Sequence, residues 1–260
     1  MRPNLREEPY EVVNGDVRSG TLILCDHASN IVPQDVNGGT LGLPDADMNR
    51  HIAWDIGAAD VSVELARLMN APAILSRFSR LVIDPNRGED DPTLVMRLYD
   101  GTIIPGNRYV KPEDVEYRLN RFHRPYHDEV TRLIDRAEEF HPQPALISVH
   151  SYTPQLKGRG LRPWHVGVLW DADGRIAEPL IERLRREDDL CIGDNQPYSG
   201  QLKGDTMSRH GTDRGFPHVL IELRHDLIDT ASTQKAWAAR LAPILGTIID
   251  ETRARESENG

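Results

Sequence analysis

The sequence predicts an α/β fold built on a mixed, mostly parallel sheet, on three observations. Short, nearly continuous apolar runs read as strands covered on both faces. Stretches of helical period lie between them, and turn residues bound most of the strand-like runs.

The first run is Thr21–Cys25 (TLILC), followed by residues 73–75, 81–83, 145–149, 165–170 and 218–223. After the first, Ile52, Ile56, Ala59, Val63 and Ala66 recur in steps of four and three, which predicts a helix from about Ile52. A second helix opens near Pro112, a residue suited to a first turn, and carries Val115, Leu119, Phe122, Tyr126, Val130, Leu133 and Ala137. A third covers about residues 175–186. The last is capped near Asp229 or Thr230 and continues through Trp237, Leu241, Ile244 and Ile248. Residues 100–107 read as an ordered turn or hairpin. No repeat, low-complexity tract or linker divides residues 1–260, so one domain is expected, with a polar tail from about Arg253 that frays.

Composition narrows the function. A chain of 260 residues, 38% hydrophobic and 28% charged, can bury a large core and carries no disorder signature. Its net charge of −10 argues against nucleic acid or an anionic membrane as the main partner, and an acidic substrate would need a local group of arginines. No apolar run approaches the roughly 20 residues of a membrane span, and the N-terminal stretch lacks a signal-like apolar segment. Cys25 and Cys191 stand in no metal-type spacing and read as reduced, buried residues of a cytoplasmic protein. The absence of GxxxxGK[ST], GxGxxG and GxSxG removes the common phosphate, dinucleotide and serine-hydrolase readings.

In open α/β sheets ligands bind beyond the carboxyl ends of the strands. There the sequence places Asp26 and His27 after the first run, His150 after the fourth and Glu222 at the end of the last. Two imidazoles and a carboxylate at three strand ends suit a catalytic metal held by His27 and His150, with Glu222 as the base that deprotonates a water. The bland alternative for either histidine alone is a hydrogen-bonded turn residue. For a third ligand the candidates are Asn30, three residues after His27, and Asp55, which shares a helical face with His51 at i and i+4. Asp26 is placed to orient an imidazole from behind. Arg80, Asn86, Arg87 and Arg224 suit a carboxylate-binding group, and Tyr198 sits in a turn-rich loop able to close over a substrate.

Seven segments, in order LILCDHASNIVP, HIAWDIGA, SRFSRLVIDPNR, RPYHDEV, ISVHSYTP, DNQPYSG and IELRHDLI, resemble the N-formylglutamate amidohydrolase family over about residues 21–228. That resemblance implies a three-layer α/β/α sandwich like that of zinc carboxypeptidases and aspartoacylases, with zinc or another divalent metal. It also implies hydrolysis of a small acidic N-acyl amino acid, N-formyl-L-glutamate being the namesake substrate, as in histidine degradation. By the same resemblance His27 and His150 hold the metal, Glu222 is the general base, Arg80 polarises the scissile carbonyl, and Asn86 and Arg87 grip a substrate carboxylate. Carboxypeptidase-like sites carry His-x-x-Glu where this chain has Asn30, which leaves the third ligand open between Asn30 and Asp55. Two other readings stand beside it: the same metal acting on a different N-acyl amino acid or peptide-like amide, and a non-catalytic carboxylate-binding protein with a degenerate metal site.

Overall fold

A computed structural model describes residues 8–259. The elements run β1 (Tyr10–Val13), β2 (Thr21–Cys25), α1 (Asp45–Met48), α2 (Ala58–Leu68), β3 (Ala73–Ser76), β4 (Leu98–Tyr99), β5 (Thr102–Ile103), α3 (Pro112–Arg118) and α4 (Arg124–Glu138). They continue with β6 (Ala145–Tyr152), β7 (Val166–Leu169), α5 (Ala177–Leu184), β8 (Ile192–Asp194), α6 (Thr206–His210), β9 (His218–Arg224) and α7 (Ala231–Asn259). Seven strands form one sheet in the order β1-β3-β2-β6-β9-β7-β8. The β2/β3, β2/β6, β6/β9 and β7/β8 pairs are parallel, whereas β1/β3 and β7/β9 are antiparallel. The sheet is therefore mixed and mostly parallel.

Strand alternation explains the layers. Ile23, Cys25, Ile147, Val149, Val219 and Ile221 pack on one side with the buried faces of α2, α5 and α7. Leu22, Leu24, Leu146 and Leu220 face the other way and meet Tyr126, Val130, Leu133 and Ile134 of α4 and Met207 of α6. Helices on both faces make the predicted three-layer sandwich. The β4/β5 hairpin turns on Asp100 (φ 42°) and Gly101 (φ 72°), the two successive left-handed residues a tight primed turn requires.

Several local expectations are corrected. Residues 81–83 are buried but form no strand; Val82 N–H donates to Ser79 O, and the carbonyls of Leu81 and Val82 accept from Asn107 Nδ2 and Arg118 Nη1 (both 2.7 Å). Side chains from other elements thus replace a strand ladder there. The stripe from Ile52 becomes helical only at Ala58, because Gly57 (φ 80°) turns the chain into α2, and a Cβ there would lie 2.2 Å from Ile228 O. His51 and Asp55 consequently do not share a helical face. Strands β1 and β8 were not anticipated. The polar stretch expected to fray is helical to Asn259, with Arg253 Nη2 donating to Gly20 O and Arg175 paired to Glu256 at 2.6 Å. Cys25 is buried, but Cys191 is exposed. No helix among the described residues is long and apolar enough to cross a membrane.

On the α4/α6 side, His127 Nε2 donates to Pro85 O (2.9 Å), which leaves Nδ1 to accept from His210 Nε2 (2.9 Å). Burial pushes the His127 imidazole well below the ordinary histidine value and that of His210 down to about 3. Both rings stay neutral in the folded protein but take up protons near 6.5 once unfolded. The unfolded chain then binds more protons, so stability falls as pH drops from about 6.5 toward 3. The His210→Gln variant is expected to lose its unfolding temperature less steeply than the parent across that range in thermal melts at stepped pH.

Candidate active site

The same alternation delivers the functional side chains. Asp26 prolongs the Leu22/Leu24 face of β2, Ser148 and His150 that of Leu146 in β6, and Glu222 that of Leu220 in β9. His150 pairs directly with Glu222 across β6/β9, and Gly167 of β7 faces Glu222 from the far side. A side chain at 167 has no room, since its Cβ would meet Gln196 O at 2.2 Å. Both His150 and Glu222 belong to strands longer than the sequence pattern suggested.

His27 follows β2 in a turn that also receives Asp55, whose N–H donates to His27 O at 2.9 Å. One carboxylate oxygen, Asp55 Oδ2, lies 3.2 Å from His27 Nδ1 and 2.8 Å from His150 Nδ1, and accepts from Ser151 N at 3.2 Å. The outer nitrogens face other carboxylates: His27 Nε2 is 2.7 Å from Asp84 Oδ1, and His150 Nε2 is 3.2 Å from Asp26 Oδ2. Tyr126 OH anchors Asp26 (2.7 Å), while Arg80 bridges Asp84 (2.8 Å) and Asp55 (3.4 Å). The two imidazole rings meet edge to face with centroids 4.8 Å apart.

Burial raises the Asp55 carboxyl, but His27 and hydrogen bonds from both imidazoles outweigh it and hold the group well below the usual carboxylate range. For Asp84, burial is outweighed by Arg80 and His27 in the same direction. Burial would make His150 less basic, yet hydrogen bonds to Asp26 and Asp55 hold its pKa well above the ordinary value. Glu222 behaves differently: burial pushes it up to about 7, and its Oε2 is buried without a hydrogen-bond partner among the described residues.

His27, Asp55 and His150 offer ligand atoms within 4.8 Å of one another, a set that can hold a metal ion. The fit is chemical as well as geometric. Two imidazoles and a carboxylate, each imidazole backed by a second carboxylate, is the donor set of an open catalytic metal site. Asp26, Asp55 and Asp84 are all buried against a single buried guanidinium, Arg80. The raised basicity of His150 offsets part of that charge with a proton, and a divalent cation bound to neutral imidazoles can take the proton's place.

A cavity of about 330 Å³ opens over this cluster and is lined by His27, Asp55, His150, Arg80, Asn86, Arg87, Tyr198 and Glu222 together with Tyr99 and Asp205. Two predicted site residues stand apart from it. Asn30 donates its amide to Met48 O (3.0 Å) and Asn49 Oδ1 (3.1 Å) and lines a different groove. Arg224 is engaged by Asp226 (2.8 Å) and by the carbonyls of Arg162 and Trp164. Sequence reasoning gave no role to Asp84, although it sits inside the Arg80–Arg87 segment, nor to Asp205 and Tyr99.

Residues 19–229 match the N-formylglutamate amidohydrolase family. The chain belongs to that family. Within it, an N-formylglutamate deformylase of Pseudomonas putida is 28% identical over 207 residues, covering 73% of each chain. Among solved structures, gene product Atu2144 of Agrobacterium tumefaciens is 31% identical with a TM-score of 0.88, over 94% of this chain and 96% of that one. An N-formylglutamate amidohydrolase of Ralstonia eutropha JMP134, 23% identical with a TM-score of 0.63 over 96% and 100% of the chains, shares the fold. Elemental analysis of variants of this family member tests the ligand set. Asp55→Asn is expected to lose divalent metal and Asn30→Ala to retain it; metal kept in the first and lost in the second would reverse the assignment.

Proposed function

We propose that this protein is a zinc-dependent amidohydrolase that cleaves N-formyl-L-glutamate to formate and glutamate. The observation carrying the metal reading is the convergence of His27, Asp55 and His150, each imidazole backed by a further buried carboxylate. The substrate reading draws on the family and on the deformylase of P. putida. When bound, zinc polarises the acyl carbonyl and makes water a better nucleophile.

The chain's own residues supply the rest. Glu222, poised near neutrality and facing the cavity, takes a proton from the attacking water and delivers it to the amine nitrogen as the C–N bond breaks. Arg80, fixed by Asp84 and Asp55, presents a guanidinium toward the developing oxyanion, an effect of about 3–4 kcal/mol per donor. Asn86 and Arg87 hold the α-carboxylate from the cavity wall, and Tyr198 flanks the substrate from the β8–α6 loop. Asp84 and Asp26 keep the imidazoles turned inward.

Replacing Glu222 with Gln should reduce turnover below detection while metal content stays at the parent level; undiminished hydrolysis by that variant would end its role as base.

A second reading changes only the substrate. Arg80 is paired with two aspartates, Arg87 is the cavity-lining guanidinium without an ion pair among the described residues, and buried Asp205 adds a carboxyl to the wall. That favours a substrate with one carboxylate. Comparing kcat/KM for N-formyl-L-glutamate, N-formyl-L-glutamine and N-formyl-L-leucine separates the two: glutamate first supports the namesake substrate, either neutral side chain first supports the alternative.

A further inference from the structure

The loop Asp84–Arg87 carries the carboxylate behind His27 and a guanidinium that lines the cavity, yet it has no strand or helix of its own. Its three successive carbonyls are each taken by a side chain. Pro85 O accepts from His127 Nε2 (2.9 Å), Asn86 O from Arg87 Nη1 (2.7 Å), and Arg87 O from His123 Nε2 (2.9 Å). Inside the loop Asn86 N–H donates to Asp84 Oδ1 (2.9 Å), the same oxygen that faces His27.

The two histidines are themselves buried. Their ring centroids lie 4.5 Å apart with the planes tilted by 54°, His127 is hydrogen-bonded to His210 and stacks on it, and His123 ends a π-helical turn (Leu119–His123) that joins α3 to α4. Such turns recur where a helix must aim a functional side chain. Once Nε2 of His123 donates to the carbonyl, its Nδ1 remains buried without a partner among the described residues.

We propose that His123 and His127 are positioning residues, His123 setting Arg87 for substrate binding and His127 setting Asp84 behind His27. The inference rests on the roles given above to Arg87 and His27. The full-length zinc-loaded protein is compared as parent, His123→Leu, His123→Gln, His127→Leu and His127→Gln. Readouts are hydrogen exchange of peptides spanning 84–90, zinc affinity by chelator competition, KM and kcat on N-formyl-L-glutamate, and unfolding temperature.

His123→Leu should raise KM about tenfold with kcat little changed, hasten exchange in the loop and leave zinc affinity intact, and Gln should restore much of the loss. His127→Leu should weaken zinc binding by about tenfold or more. Should the Leu variants not fold, Asn at either position, polar but too short to reach the carbonyl, replaces them. Loop exchange, KM and zinc affinity all unmoved would overturn the inference, as would a fall in unfolding temperature alone with no rescue by Gln. A parent inactive on N-formyl-L-glutamate would refute the substrate reading, while loop exchange and zinc affinity still decide this one.

Discussion

The site depends on one oxygen, Asp55 Oδ2, which faces both inner imidazole nitrogens and the Ser151 N–H at once. A carboxylate stripped of water is tolerated only where donors or cations replace the lost hydration, and removing one partner of a buried pair typically costs about 3–5 kcal/mol. Around this oxygen the protein arranges His27, His150 and Arg80, and behind them Asp84 and Asp26. The surrounding polar groups are mutually dependent: Arg80 balances two of the carboxylates, and each imidazole is turned inward by the carboxylate at its back.

The sheet's register brings these groups together. His150 lies opposite Glu222, and Ser148 lies on the same face one alternation earlier. A slip of one residue between β6 and β9 would turn Glu222 into the α2/α7 layer and put Ile221 in the cavity. The antiparallel strand β7 brings Gly167 against Glu222, where a larger residue would collide with the Gln196 carbonyl. Glu222 is thus confined by backbone on one side and by the strand carrying His150 on the other.

Much of this was legible in the sequence. Strands β2, β6 and β9 read as apolar runs because they are covered on both faces, and the stripes of α4 and α7 follow from packing on the sheet. His27, His150 and Glu222 were visible because they terminate those runs. Asp84 was not, since its role depends on a fold-back that periodicity does not encode. Asp26 was expected to orient an imidazole, and the one it meets is His150, 124 residues away, instead of its neighbour His27. The helix assumed from Ile52 failed for a related reason: turn geometry at Gly57 and a hydrogen bond to His27 O override the 3.6-residue pattern. Residues 81–83 misled because burial alone produces an apolar run, whether or not a neighbouring strand exists.

That last segment has a consequence for how the chain reaches its native state. Its carbonyls are satisfied by side chains 26 and 36 positions downstream, and Asp84, which follows it, meets His27 across 57 positions. Contacts of such separation form only after the intervening chain has closed, at an entropic cost that must be met before they give anything back. Pairing β2 with β6 and β6 with β9 closes longer segments still, so the His27–Asp55–His150 cluster is complete only in a chain whose distant strands have already met. Ligand uptake then reports on finished molecules and discriminates them from compact, unfinished ones.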